Sequence, residues 1–163
     1  MAGQDQTLDK VEVIQTLNAY MQAIDASDTD ALRNRVFTAD AQITLLEPLG
    51  VDGYCGFVDA IMKEIRTQHL LMGPVVVVTG DEARSQAYFV GFHRVPAGPN
   101  SEACDAIFGK TSEATDVIIG GVYDDHVVRT TAGWRIKERR IKLLWDNRGT
   151  AGNTLAAGWM APA

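Results

Sequence analysis

From about residue 68 onward the chain is written in long β-branched and aromatic runs separated by tight-turn residues, and before that point it reads mostly as helix. That segregation constrains the fold more than any other feature, because helices grouped ahead of antiparallel strands define an α+β architecture, not alternating βαβ units. Val75-Val76-Val77-Val78 is stopped by Gly80-Asp81, and Ala83 to Val95 is expected to return antiparallel beside it. Two more strands are predicted over about 114–130 and 134–145, with a turn at Ala132-Gly133 between them. In the first half, Leu8, Val11, Ile14, Leu17, Met21 and Ile24 recur at helical spacing with no proline or glycine among them. Ser27 and Asp30 read as a capping pair for a second short helix through Ala31, Leu32 and Val36. A strand over Asp40–Leu46 closed by a turn at Pro48-Leu49-Gly50, and a third helix over 57–66, complete this half. Residues 96–112, with two prolines and two glycines, read as a long loop.

Neither a repeat nor a linker divides the 163 residues, so one domain is expected, with a core over about 8–148 and a tail over 149–163. A net charge of −6 argues against nucleic acid as a partner, since phosphate contacts need a positive surface. The chain lacks an apolar run of the ~20 residues that a membrane span requires. The start, MAGQDQTLDK, has no secretory pattern, and Cys55 and Cys104 are most simply free thiols, so a cytoplasmic location is expected.

The candidate chemistry centres on a carboxylate and a histidine. At ~100° per residue Asp25 falls on the apolar stripe of the first helix with Ile14 and Met21. There it is either a buried carboxylate that needs a hydrogen-bond partner or a solvated group at the helix end. His69 opens the β-rich half and shares a strand face with Thr67 and Leu71. It is either structural or, if Asp25 reaches one ring nitrogen, a general base through the other. Arg139 lies in the basic run Trp134-Arg135-Ile136-Lys137-Glu138-Arg139-Arg140. Strict alternation puts it on the face of Arg135, Lys137, Ile141 and Leu143, opposite Trp134 and Ile136, where most such charges are solvated; Arg129 invites the same reading. Tyr123 follows Gly120-Gly121 on the face of Ile119, as a cavity or a packed core would equally allow. His69, His93 and His126 lack metal-ligand spacing, and no nucleophile elbow or phosphate loop occurs, so neither metal nor cofactor is expected.

The first helix ending in Ala23-Ile24-Asp25-Ala26-Ser27-Asp28, with Gly120-Gly121-Val122-Tyr123-Asp124-Asp125 and Gly133-Trp134-Arg135-Ile136 later in the chain, resembles the SnoaL-like branch of the nuclear transport factor 2-like superfamily. The resemblance implies a cone of curved mixed sheet wrapped around helices with a deep apolar pocket. Within that branch the chain is most similar to the hexachlorocyclohexane dehydrochlorinase and scytalone dehydratase group, cofactor-free lyases built on an aspartate–histidine pair. Asp25 and His69 fall on that pair, Ile119 and Tyr123 on pocket positions in the Ile-x-Gly-Gly-x-Tyr segment, and Arg139 on a pocket arginine. Tyr20 stands where the dehydrochlorinase has a lysine that assists chloride departure, which shifts the expectation from dehalogenation toward dehydration or isomerisation. Residues 157–162 resemble a segment that covers the pocket in that enzyme.

The expected function is therefore a cofactor-independent lyase or isomerase, dehydratase-like, acting on a small apolar and cyclic substrate. His69 is its base, Asp25 the orienting partner and Arg139 a stabiliser of developing negative charge. Tyr20, Met21, His93, Ile119, Tyr123 and Leu143 are the expected substrate contacts. The alternative is a non-catalytic binding module or the small subunit of a ring-hydroxylating dioxygenase. A homo-oligomer is expected in either case, because an open sheet leaves a surface to cover; the resemblance to the two lyases implies a trimer before a dimer.

Overall fold

The computed structural model describes residues 6–98 and 101–150. Helix α1 (Thr7–Asp25) carries its apolar side chains on one stripe, burying Val13, Leu17, Tyr20, Met21 and Ile24 against the sheet. It stops at Ser27, a non-glycine residue at φ 54°. The cap of the next helix, α2 (Thr29–Ala31), is Asp28, whose carboxylate accepts from the Ala31 N–H at 2.8 Å. The expected Ser27–Asp30 arrangement does not form, and the chain passes directly into a π-helical turn over Leu32–Val36.

Strand β1 (Phe37–Thr44) starts earlier than expected, and Pro48–Gly50 is a short strand, β2, paired antiparallel with it instead of a free turn. Helix α3 (Val51–Met62) is displaced toward the N-terminus relative to the 57–66 expectation, because β3 (Arg66–Thr79) takes over from Arg66. β3 and β4 (Glu82–Val95) form the expected hairpin around Gly80-Asp81. The 96–112 segment is not wholly a loop: it contains α4 (Glu102–Phe108), capped by the Ser101 hydroxyl accepting from the Cys104 N–H at 3.2 Å. β5 (Thr115–Thr130) and β6 (Gly133–Thr150) follow, the latter longer than predicted.

Among the described residues the strands make one curved, open six-stranded sheet in the order β2-β1-β6-β5-β4-β3. All neighbours are antiparallel except β1 and β6, which run parallel. The helices pack on the concave face, around a core that includes Leu17, Leu32, Val58, Trp134 and Ile136. Polar ties set α1 on the sheet, among them the Thr16 hydroxyl donating to the Trp134 carbonyl at 3.1 Å and Arg129 bonding Asp9 at 2.6 Å. Arg129 also reaches Asp81 and lies 4.5 Å over the Trp134 ring, so it is a structural bracket. Cys55 and Cys104 are buried and unpaired. No described helix is long and apolar enough to cross a membrane.

One irregularity reassigns a face. Ile136 pairs with Val127 and Glu138 with His126, so Lys137 is an extra residue in β6. Such a bulge reverses the inward–outward alternation beyond it. Trp134 and Ile136 point inward before the bulge and Arg139 points inward after it. The expectation that Arg139 lies opposite Trp134 and Ile136 is thereby corrected.

Candidate active site

The end of α1 crosses the start of β3, and this crossing places Asp25 against His69. Oδ1 of Asp25 lies 2.7 Å from Nδ1 of His69, while Oδ2 accepts the backbone N–H of the same residue at 2.9 Å. The carboxylate thus holds both the ring and the strand that carries it. A carboxylate can only accept, so Nδ1 bears the proton and Nε2 of the neutral ring keeps a lone pair. Thr67, two residues away on the same strand face, adds a contact to Nδ1 at 3.2 Å.

His93 lies on the adjacent strand, its ring edge-on to that of His69 with centroids 5.2 Å apart. Its Nδ1 donates to the carbonyl of Val117, its cross-strand partner, at 3.1 Å. Burial, helped by the neighbouring His69, pushes its pKa down to about 4, against the smaller pull of Asp25 and the Val117 and Gly91 carbonyls. Gly91 stands directly opposite His69 in the hairpin register. A Cβ there would lie 2.7 Å from Cε1 of His93 and 2.9 Å from Nε2 of His69, so the absence of a side chain is what admits both rings.

The depressed pKa has a consequence for stability. The unfolded ring, with an ordinary value near 6.5, takes up a proton before the folded one does. Stability is therefore complete above about pH 6.5, falls as the pH drops toward 4, and levels off below, a loss of about 3 kcal/mol. Denaturant titrations at pH 7 and pH 4.5 should show this decrement in the native protein and its absence in His93→Phe.

A cavity of about 430 Å³ opens beside the two histidines, and both line it. Its walls are largely apolar, with Ile24, Phe57, Phe89, Ile119 and Ile141 among them. The exposed side chains of Leu46, Leu144 and Trp145 belong to its rim. Tyr20 and Tyr54 supply further polar groups to the lining, their hydroxyls 2.5 Å apart. One hydroxyl must donate to the other, and Tyr20 also interacts with the Tyr123 hydroxyl, so the three phenols hold more protons than they spend on one another. Tyr123 also lines the cavity and stacks on Phe89 at 4.2 Å. Gly121 makes room for this stack, since a Cβ there would meet the Phe89 ring at 2.5 Å. Burial holds the Tyr54 and Tyr123 phenols well above their ordinary pKa, keeping them protonated donors.

Of the residues expected from the sequence, Tyr20, His69, His93, Ile119, Tyr123 and Leu143 line this cavity. Asp25 stands behind His69. Met21 belongs to the packed core and is not part of the cavity wall. Arg139 is not in the wall either: it lies beneath it, 1% exposed, with its guanidinium carbon 3.9 Å from the Tyr20 ring centre and 4.3 Å from that of Tyr123. Asp125 grips it through two hydrogen bonds of 2.7 Å. Burial works against the charge, but this carboxylate more than offsets it and raises the arginine pKa. Sequence reasoning missed Tyr54 and Asp125. Tyr54 was within reach of it, three residues before Phe57 and seven before Ile61 on one helical face. Among the described residues no group of three or more His, Cys, Asp or Glu side chains gathers as a metal ion would require.

A curved sheet closed over helices around an apolar cavity is the architecture of the nuclear transport factor 2-like class. Within that class the chain belongs to the SnoaL-like domain family, which matches it over residues 5–140. An uncharacterized protein of Mycobacterium tuberculosis is 32% identical over 137 residues, covering 80% of this chain and 82% of its own length. Among solved structures, a protein of Kribbella flavida superposes with a TM-score of 0.73 at 22% identity, covering 88% of this chain and 95% of that one. A hexachlorocyclohexane dehydrochlorinase of Novosphingobium barchaimii gives 0.69 at 13% identity, over 93% and 97%. Residues 157–162, likened above to a pocket-covering segment, lie outside the described residues.

Proposed function

We propose that the chain is a cofactor-independent lyase or isomerase that removes a carbon-bound proton from a small, mostly apolar carbonyl compound. The observation that carries this reading is the 2.7 Å Asp25–His69 contact in a histidine that lines a 430 Å³ cavity. Nε2 of His69 takes the proton, and the C–H electron pair moves toward the carbonyl carbon to give an enolate. Asp25 stabilises the imidazolium so formed. The spare hydroxyl proton of the Tyr20, Tyr54 and Tyr123 group meets the enolate oxygen. Arg139, from beneath the Tyr20 and Tyr123 rings, acts as a positioning residue and favours their facing donors through its charge. The enolate then collapses in one of two ways: a β-hydroxyl departs as water, or a proton returns at another carbon. Dehydration is the favoured outcome, and it suits a tyrosine at position 20, a neutral donor without the permanent charge that departing chloride calls for.

Screening small cyclic ketones and hydroxyketones for proton exchange in heavy water tests the reading. His69→Ala is expected to slow exchange by about 10²–10⁴-fold; full retention of exchange in that variant would refute the mechanism. Self-association is proposed through the outward side chains of β3 and β4, where Leu70, Met72, Val75, Val77, Tyr88 and Phe92 are exposed. A solution mass of three chains is expected from light scattering, and a strictly monomeric protein would rule this out.

A further inference from the structure

The cavity carries its polar and apolar groups in the reverse of the order that solvent imposes. The side chains of its histidines and tyrosines are buried, whereas Leu46, Leu143, Leu144 and Trp145, which also line it, are each half or more exposed. The cause is the course of β1, whose pairing with β6 ends at Thr44 and Arg140. Beyond that point β6 has no neighbour on this side among the described residues, and its free edge becomes the lip of the cavity. A second bulge, at Leu144 between the Gly121–Leu143 and Gly120–Trp145 pairs, adds an extra apolar residue there. Trp145 is bedded on Gly120, where a Cβ would lie 2.2 Å from its ring, so this exposed side chain is held in place. At the far end of the lip Arg148 donates to Asp146 at 2.9 Å and to the Phe108 carbonyl, which commits its charge within the protein. Hydrated apolar surface gathered at the mouth of a cavity marks a place for a ligand to cover.

We infer that the substrate is a carbonyl compound with an uncharged apolar tail, its head among the buried polar groups and its tail leaving through the mouth across Leu46, Leu144 and Trp145. The carbonyl head rests on the reading given under the proposed function; the tail rests on the mouth alone. From Leu143 to Arg148 the edge of β6 runs on the order of 15 Å, enough to cover a chain of several carbons. A charged group at the end of that chain would find no free partner in Arg148 or Asp146, which hold each other. A tail attached to a bound head reaches the mouth with no further loss of translational freedom, which favours this occupant over a separate molecule.

The test is a series of 4-methyl-, 4-propyl- and 4-pentylcyclohexanone, titrated into the full chain and followed by NMR. Affinity is expected to rise about threefold for each added methylene, and by roughly 30-fold or more from methyl to pentyl. In the double variant Leu46→Ser with Leu144→Ser, at two exposed positions outside the core, that ratio should fall to within about fivefold. The terminal methyl of the pentyl compound should give nuclear Overhauser contacts to the methyls of Leu46 and Leu144. Equal affinities along the series, as would follow if the residues after Thr150 lay across the mouth, overturn the proposal. A length dependence that survives the double variant overturns it too, and so does the absence of those contacts. Deuterium exchange at the α-carbons of the methyl compound reads the head separately. Its absence beside an intact length dependence would defeat the base assigned to His69 and leave the tail site standing.

Discussion

Replacing Arg139 with methionine is expected to cost about 3–5 kcal/mol of folding stability, a large share of what a chain of this size has to lose. The cost comes less from the lost ion pair than from what remains. Asp125 is 1% exposed and, among the described residues, has only the guanidinium for a side-chain hydrogen-bond partner, so the variant strands a carboxylate in the core. A double variant, Arg139→Met with Asp125→Leu, removes both charges and should recover most of the loss. Urea midpoints of the two variants decide the matter: if the double variant is no better than the single one, desolvation of Asp125 is not the cause. The recovered protein would also separate stability from chemistry. It keeps the cavity wall but has no cation under the Tyr20 and Tyr123 rings.

The second large effect is expected from Asp25→Asn. Asparagine can still accept the His69 backbone N–H through its oxygen, which leaves its amide as the group facing Nδ1. An amide N–H donates, so Nδ1 must become the acceptor and the ring proton moves to Nε2. His69, the proposed base, then faces the cavity as a donor. Loss of proton abstraction by up to about 10⁴-fold is expected with little change in thermal midpoint. Nitrogen chemical shifts of the His69 ring report the tautomer directly, without a substrate. An unchanged tautomer in Asp25→Asn would show that the carboxylate does not set it.

Local periodicity was enough for α1 and for the β3–β4–β5 run, because each of these buries one face and repeats its pattern for many residues. It also placed Asp25 on the apolar stripe and His69 beside Thr67. It could not show that the two meet, since the contact spans 44 positions and depends on where α1 crosses the sheet. Helix α4 escaped notice for a different reason. Seven residues are too few to show a period, and the segment is held largely by tertiary partners, with Glu64 accepting from the Ser101 N–H at 2.8 Å. The face of Arg139 was misread because a bulge exists only relative to the neighbouring strand. Nothing in the alternation of Trp134 to Arg140 marks Lys137 as the extra residue; the register against β5 does. Asp125 was equally hidden, an acidic residue in an ordinary strand until β6 brings Arg139 alongside.

The position of β6 between β1 and β5 governs the order in which the molecule can be assembled. Ile43 pairs with Arg139, so the first strand waits for the last one before it gains its long neighbour. The hairpin of β3 and β4, and then β5, can form from contacts close along the chain. Until β6 arrives, the wall beneath Tyr20 has no Arg139 and the Trp134 carbonyl is not there to receive Thr16. Closing so long a loop before any return in contacts places folding on the slow, topology-limited side of the scale. A nascent chain emerging from the ribosome would carry its Asp25 and His69 long before it possessed the cavity beside them. The cavity is therefore completed last, when Ile141, Leu143, Leu144 and Trp145 of β6 join its wall.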